Sequence, residues 1–347
     1  MSLTIVKSVA GSGKTQYIID KIADTFKPIL IVTYTNENKD QIISRIIKKY
    51  KYLPPNIDIL TWFDFLSKNL AIPYCNLFKP GLTIEGFDFD TDPPIKKSID
   101  DPYRYINSKN QIYKDRLSDL CYIISDKSTL PINRLSKLYK HIFIDEAQDL
   151  CGRDYDIVEK LIGSKFEITI VGDSLQNTYD THHTRTNSAY SDIFNFLESR
   201  KIFCINRKLE LSYRCSQEVC NYINKIWGCE ILKSKGTHSG GRVTLVYRDN
   251  LNKFIANNNN LTALRMNKKH SVNTNINPIF NIGKSKGLEF ENIIIYGTKD
   301  MISATKNKDV NQISKQQTKH LFYVALTRSK NNVGIFVDEA TPAVPLF

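Results

Sequence analysis

Short apolar runs alternate with amphipathic stretches along almost the whole chain. Residues 3–6 are an apolar run that predicts a strand, followed by a glycine-rich turn and by Ile18, Ile19, Ile22 and Phe26 at helical spacing. Residues 29–33 predict a second strand, and Ile42, Ile43, Ile46 and Ile47, with Lys48 and Lys49 beside them, a second helix. A third strand ends near Thr61. Between Pro73 and Pro102 the pattern dissolves into Pro, Gly and the acidic Glu85, Asp88, Asp90 and Asp92, before a helix around 117–124; residues 73–125 read as an insertion in the first domain. Alternation resumes with a strand at 141–144, a helix near 154–162 and a strand at 168–171. After about residue 205 a second such pattern begins, with a helix at 217–226 and strands at 243–247, 261–265, 293–296 and 333–337. The asparagine tract 257–260 reads as a surface loop. Strands that alternate with helices predict an α/β fold of two domains, residues 1–203 and 204–347, each with a parallel sheet flanked by helices.

Length and composition agree with that division. A chain of 347 residues suits two domains of ordinary size better than one core. With 41% hydrophobic and 24% charged residues it is neither disordered nor fibrous. Lys and Arg number 48 against 36 Asp and Glu, a net charge of +12 that favours a polyanionic partner such as nucleic acid; a merely basic, soluble surface is the alternative. The 7 cysteines are odd in number and no two have the spacing of a zinc or redox motif, which predicts reduced, mostly buried thiols in an intracellular protein. The opening residues show no leader pattern, and no apolar run approaches the roughly 20 residues of a membrane helix. A soluble intracellular protein without membrane association is expected.

Two motifs carry chemistry on their own. Gly11-Ser12-Gly13-Lys14-Thr15 lies between a predicted strand and a predicted helix, where glycines let backbone N–H groups close around phosphate oxygens at the positive end of a helix. Lys14 is then expected on the β- and γ-phosphates of ATP and the Thr15 hydroxyl on Mg²⁺; a turn without a ligand is the alternative. Ser8 stands where the general pattern has its first glycine. The second motif, 141–149, is an apolar strand ending in Asp145 and Glu146, the end at which open α/β sheets bind ligands. Asp145 is expected to hold Mg²⁺ and Glu146 to orient and deprotonate the attacking water; an acidic helix cap is the alternative.

Asp145-Glu146-Ala147-Gln148-Asp149 downstream of such a loop resembles the UvrD-like branch of superfamily 1 helicases, and further motifs follow in the family's order. Thr33-Tyr34-Thr35-Asn36 resembles motif Ia, Thr61-Trp62-Phe63 motif Ib, Val171-Gly172-Asp173-Ser174-Leu175-Gln176 motif III and Leu211-Ser212-Tyr213-Arg214 motif IV. Lys286-Gly287-Leu288-Glu289-Phe290 resembles motif V and Tyr323-Val324-Ala325-Leu326-Thr327-Arg328 motif VI. The resemblance implies two RecA-like P-loop NTPase domains that hydrolyse ATP at their interface, residues Ala10 to Gln16 forming the nucleotide loop. It implies that Arg214 and Arg328 aim positive charge at the γ-phosphate and that Gln176 couples that phosphate to the nucleic-acid track. Tyr213 would stack on the base of ATP and Glu289 would contact its ribose; core filling and a solvated charge are their respective alternatives.

For the strand, a basic groove with aromatic stacking platforms is the general solution. The resemblance places Tyr34, Trp62, Phe63 and Tyr179 there as stacking candidates, Phe63 being equally readable as core. Thr35, Asn36 and Thr61 would bond phosphates or sugars, and Arg265 would stand near the groove.

Several family features are replaced. Ten residues precede Gly11, so the upstream adenine-reading glutamine motif is expected to be missing, and Gln16 stands where the family has an adenine-stacking arginine; relaxed nucleotide selectivity follows. Thr181-His182 replaces a Trp-Arg pair, and Asn281-Ile282-Gly283 replaces the opening Thr and His of motif V. The connection from Arg265 to motif V is too short for the large accessory domain of bigger relatives. The implied function is an ATP-dependent helicase or single-stranded DNA translocase moving three-prime to five-prime. Its cofactors would be ATP and Mg²⁺, and its partners single-stranded or tailed duplex DNA, or RNA. The alternative is a nucleic-acid-stimulated ATPase acting as a switch or loader, with a protein partner supplying the accessory function. A P-loop kinase is disfavoured by the paired arginines.

Overall fold

The fold follows from two groups of apolar strands, each long enough only to cross a covered parallel sheet. The computed structural model describes residues 2–340 except 23–26, 178–185, 237, 239 and 274. It divides into two compact units: residues 1–7, 15–172 and 181–207 form the first, and 8–14, 173–180 and 208–347 the second.

In the first unit, β1 (Leu3–Ser8), β2 (Ile29–Thr33), β3 (Ile57–Thr61), β6 (His141–Ile144), β7 (Glu167–Gly172) and β8 (Ile205–Leu209) make a six-stranded sheet in the order β3-β2-β6-β7-β1-β8. Between β3 and β6 lie a small separate pair, β4 (Gly86–Asp88) and β5 (Gln111–Tyr113), and the helices α3 (Trp62–Phe65), α4 (Cys75–Phe78), α5 (Leu117–Lys127) and α6 (Leu130–Leu138). The helices α1 (Lys14–Ile22) and α2 (Asn36–Tyr50) precede them, and α7 (Arg153–Ile162) and α8 (Ile193–Ser199) follow. Pairs β3–β2, β2–β6, β6–β7 and β7–β1 are all parallel, with Ile31 opposite Phe143 and Ile5 opposite Ile170. All five residues of β2 are buried, as expected of a strand covered on both faces. Because these strands run the same way, the segments that follow them leave from one edge of the sheet, the edge where ligands bind in such folds. The expected insertion shares this unit's core: Phe78, Leu82, Tyr105, Ile106 and Ile112 are buried in one cluster with Ile142 and Phe194.

The second unit repeats the plan. The pair β9 (Leu211–Ser212) and β10 (Lys233–Ser234) flanks α9 (Gln217–Trp227). A five-stranded parallel sheet then runs in the order β11-β15-β14-β12-β13, from β11 (Val243–Tyr247), β12 (Leu261–Arg265), β13 (Ile279–Asn281), β14 (Asn292–Tyr296) and β15 (Val333–Val337). Its other helices are α10 (Leu251–Ala256), α11 (Lys299–Asn307) and α12 (Gln316–Leu326).

One expectation needs correcting. The asparagine tract 257–260 is not all surface: Asn258 is 7% exposed, donates from Nδ2 to Phe254 O (2.8 Å) and accepts at Oδ1 from Asn332 Nδ2 (2.9 Å). A buried amide is tolerated because those bonds satisfy it. Among the described residues the 7 cysteines are free, four of them buried, and no helix is long and apolar enough to cross a membrane.

Candidate nucleotide and nucleic-acid sites

In the first unit, β6 delivers the two carboxylates. Asp145 is 3% exposed; its N–H donates to Val32 O (2.8 Å), and its Oδ1 accepts the Glu146 N–H (2.9 Å). Glu146 adopts a left-handed backbone (φ 53°) before a short 3₁₀ turn and makes no side-chain cap bond, which removes the helix-cap alternative for it. Its carboxylate instead accepts from Gln148 Nε2. Gln148 is completely buried, and it fits there because β7 ends in glycine: a Cβ on Gly172 would lie 2.7 Å from Gln148 Oε1 and 3.0 Å from the Phe194 ring. The Gln148 role was not read from the sequence; the signal was its place two residues after Glu146. Gln16, at the start of α1, donates to Asp20 Oδ1 (2.8 Å), which Lys49 also holds (2.7 Å).

The strand candidates of this unit converge in part. Tyr34, Trp62, Phe63, Lys114, Asp119 and Arg153 line a cavity of about 460 Å³. Trp62 is 5% exposed, so only an edge can meet a ligand, and Phe63 packs against Phe87 (4.7 Å between ring centroids) and Phe89 (5.7 Å). Thr35 and Thr61 spend their hydroxyls as helix caps, accepting from the N–H of Asn38 (3.2 Å) and Asp64 (3.1 Å), while Asn36 is exposed. Asp119 pairs with Arg116 (2.9 Å) and lies 3.8 Å from Arg153. Burial raises the Asp154 carboxyl above its usual range, against hydrogen bonds from Ser118 and the Cys151 N–H. Tyr179 lies outside the described residues, as do Thr181 and His182.

The phosphate loop, residues 8–14, packs within the second unit. Gly11 (φ 71°) and Gly13 (φ 82°) take backbone that side chains rarely adopt, and a Cβ on Gly11 would sit 2.7 Å from the Arg214 Cβ and 2.8 Å from Ser212 Oγ. The Tyr213 N–H donates to Gly11 O (2.9 Å), the Val9 N–H to Leu209 O (3.0 Å) and the Ala10 N–H to the Tyr323 hydroxyl (3.3 Å). Ser12 Oγ is buried without a hydrogen-bond partner, and so is Arg214 Nε. Such orphaned groups are costly and mark places where a polar ligand is due. The loop therefore fits a phosphate chain.

Arg214 packs against that loop, and Arg328 lies in the same unit. Arg214 donates from Nη2 to Glu289 Oε1 (2.9 Å) and from Nη1 to Thr327 O (3.2 Å). Burial opposes ionisation of Glu289, but the Arg214 guanidinium outweighs it and holds the carboxyl below its usual range. Arg328 is 1% exposed, with Nε on Val324 O (3.0 Å), Nη1 on Leu288 O (3.3 Å) and Nη2 reaching Gln176 Oε1 (3.5 Å). Gln176 is in turn fixed by Asp173 Oδ2 (2.7 Å). Tyr213 is 52% exposed, which excludes the core-filling alternative, while Glu289 is exposed as well as paired with Arg214, so the pair leaves its solvated-charge alternative standing. Thr15 and Lys14 are half-buried at the start of α1. Arg265, at the end of β12, points at Asn281 Oδ1 (3.3 Å) and His270 O (3.5 Å).

The chain is similar to a probable DNA helicase II homolog of Mycoplasma pneumoniae (strain ATCC 29342 / M129 / Subtype 1), 26% identical over 84% of this chain and 48% of that protein. It is also similar to the Gabija protein GajB of Bacillus cereus (strain VD045), 27% identical over 63% of this chain and 45% of the other. The chain thus spans about half the length of these relatives. The arterivirus nonstructural protein 10 helicase, solved with DNA, aligns over 97% of this chain and 61% of its own at 12% identity and a TM-score of 0.47. The family model of the UvrD-like helicase C-terminal domain matches residues 95–339, most of the chain, and the chain belongs to the UvrD-like helicase family.

Proposed function

We propose that the chain is an ATP-dependent helicase or single-stranded DNA translocase, with motor domains at residues 1–203 and 204–347 whose residues act on one ATP. The observation that carries this reading is the phosphate loop pressed against Ser212 and Arg214, with a buried, orphaned Ser12 hydroxyl in it. Residues Ala10 to Gln16 bind the phosphates. Lys14, Arg214 and Arg328 offset the negative charge on the γ-phosphate, and Gln176, held between Asp173 and Arg328, senses its presence. Glu146, oriented by Gln148, takes the proton of the attacking water. The base of ATP stacks on Tyr213 and the ribose meets Glu289. The Thr15 hydroxyl and the Asp145 carboxylate are hard oxygen donors that suit Mg²⁺ and would hold it; when bound, the ion supplies positive charge to the β- and γ-phosphates.

Single-stranded DNA runs over Tyr34, Thr35, Asn36, Thr61, Trp62, Phe63, Tyr179 and Arg265, moving three-prime to five-prime, with RNA as the other candidate strand. A second reading, a strand-stimulated switch or loader completed by a protein partner, is favoured by the short connection from Arg265 to the motif that begins at Lys286, which leaves no room there for a large accessory domain. Tailed duplexes separate the two. Unwinding from a three-prime tail and not from a five-prime tail supports the helicase; strand-stimulated ATP turnover without unwinding on either tail supports the switch.

A further inference from the structure

The insertion in the first unit carries apolar side chains that its own fold leaves uncovered. After Pro93 and Pro94 the chain enters a turn in which Ile95 is 86% exposed, and Ile99 and Tyr103 follow it, exposed as well. The turn is fixed in place. Tyr105, buried in the core, donates from its hydroxyl to Ile99 O (2.8 Å), and Arg104 Nη1 donates to Lys97 O (2.5 Å). The N–H groups of Asp101 and Arg104 donate to Ser98 O (3.2 Å) and Asp101 O (3.0 Å). Single apolar side chains scattered over a surface are ordinary. Three of them on one pinned turn make a patch, and exposed patches mark association surfaces.

Charge identifies what fits over it. Residues 85–101 hold six carboxylates against two lysines, on a chain whose net charge is +12. Lys97 is paired with Asp101 (3.0 Å), while Asp90, Asp92 and Asp100 are exposed. A polyanion is repelled here, so the occupant is a cationic protein surface with apolar side chains among its charges. The first unit itself presents one. Residues 45–51, at the end of α2, hold four cations, Arg45, Lys48, Lys49 and Lys51, and no carboxylate. Ile47, Tyr52 and Leu53 are exposed there, and so are Lys48 and Lys51, whereas Lys49 is held by Asp20 (2.7 Å). This end is fixed too: Lys51 takes left-handed backbone (φ 70°) and its N–H caps the helix at Ile47 O (2.7 Å).

We propose that the chain associates with a second copy of itself through these two patches. Ile95, Ile99 and Tyr103 of one copy pack on Ile47, Tyr52 and Leu53 of the other, with Asp92 and Asp100 facing Lys48 and Lys51. The acidic turn does not meet its own counterpart, because that would set carboxylate against carboxylate; unlike patches meet instead. The net charge of +12 on each copy does not forbid the contact. At about 150 mM salt, charges more than roughly 8 Å apart are screened, while charges in contact are not. The contact is independent of the motor reading, since neither patch holds a residue assigned to nucleotide or strand.

Sedimentation velocity of the nuclease-treated full chain, at about 150 mM salt and over about a hundredfold range of concentration, tests it. The wild type is expected to pass from monomer to a larger species with a Kd on the order of 10 µM. Ile95→Ser should weaken association at least about tenfold, as should each of two charge variants, Asp92→Lys with Asp100→Lys and Lys48→Glu with Lys51→Glu. All are exposed positions, so thermal midpoints stay at wild-type values. A one-to-one mixture of the two charge variants restores an opposite-charge pairing between unlike chains and should associate within about threefold of wild type, a recovery that damaged folding cannot give. A wild type that stays monomeric overturns the contact, as does association that all three variants leave within about twofold. Association weakened by Ile95→Ser but indifferent to Lys48→Glu with Lys51→Glu, or a mixture that fails to recover, overturns the pairing of these two patches.

Discussion

Glu146 combines a left-handed backbone with a carboxylate tied to a fully buried glutamine, and non-glycine residues keep such a backbone only where their surroundings impose it. The imposing group is Gln148, and the space for Gln148 is the missing side chain of Gly172. Gly172→Ala puts a methyl group 2.7 Å from Gln148 Oε1. It is expected to lower ATP turnover at least about tenfold and to cost about 1–3 kcal/mol of stability, read by steady-state kinetics and thermal denaturation. His141, at the start of β6, gives a separate prediction. Burial beside Phe143 pushes its pKa from 6.5 down to about 4, outweighing Glu167 at 3.6 Å. The folded state thus favours the neutral ring while the unfolded chain takes up a proton near 6.5. The stability this provides is present above pH 6.5 and is lost as pH falls toward about 4. His141→Asn should flatten that part of the melting-temperature profile.

At the scale of elements, the sequence motifs depend on supports remote from them. Asn224 in α9 accepts at Oδ1 from the N–H of Ile231 (2.9 Å) and Leu232 (3.0 Å) and donates to Leu232 O (2.8 Å), returning the chain so that β10 pairs with β9 beside Arg214. Asn224→Ala should cost about 1–3 kcal/mol by denaturant titration and weaken ATP binding more than strand binding. The apolar strands were legible because a covered parallel sheet writes itself as unbroken Ile, Leu and Val, as in β2 and β14. Helix α12 was not: its five residues 322–326 are all buried, so the run has no polar face and no period. Helix α11 was missed for the opposite reason, since Met301, Ala304 and Thr305 are its only buried residues. Motif residues could be read from order and spacing. The Tyr323 hydroxyl on Ala10 could not, because the two residues are far apart in sequence.

For the molecule as a whole, a net charge of +12 turns strand binding into a salt-dependent property. Affinity for an oligothymidylate should fall at least about tenfold between about 50 and 200 mM salt, and a mixed-sequence strand of equal length should bind within about threefold of it, because backbone contacts carry no sequence information. Titration by fluorescence anisotropy checks both. The central claim is that ATP hydrolysis depends on Glu146 and is driven by the strand. Its most direct test is ATP turnover, with and without single-stranded DNA, by wild type and Glu146→Gln, alongside nucleotide binding by each. The strand is expected to stimulate wild-type turnover several-fold, and Glu146→Gln to bind ATP as wild type does but turn over at least about a hundredfold more slowly. Strand-stimulated turnover persisting in Glu146→Gln, or a wild type indifferent to the strand, would contradict it.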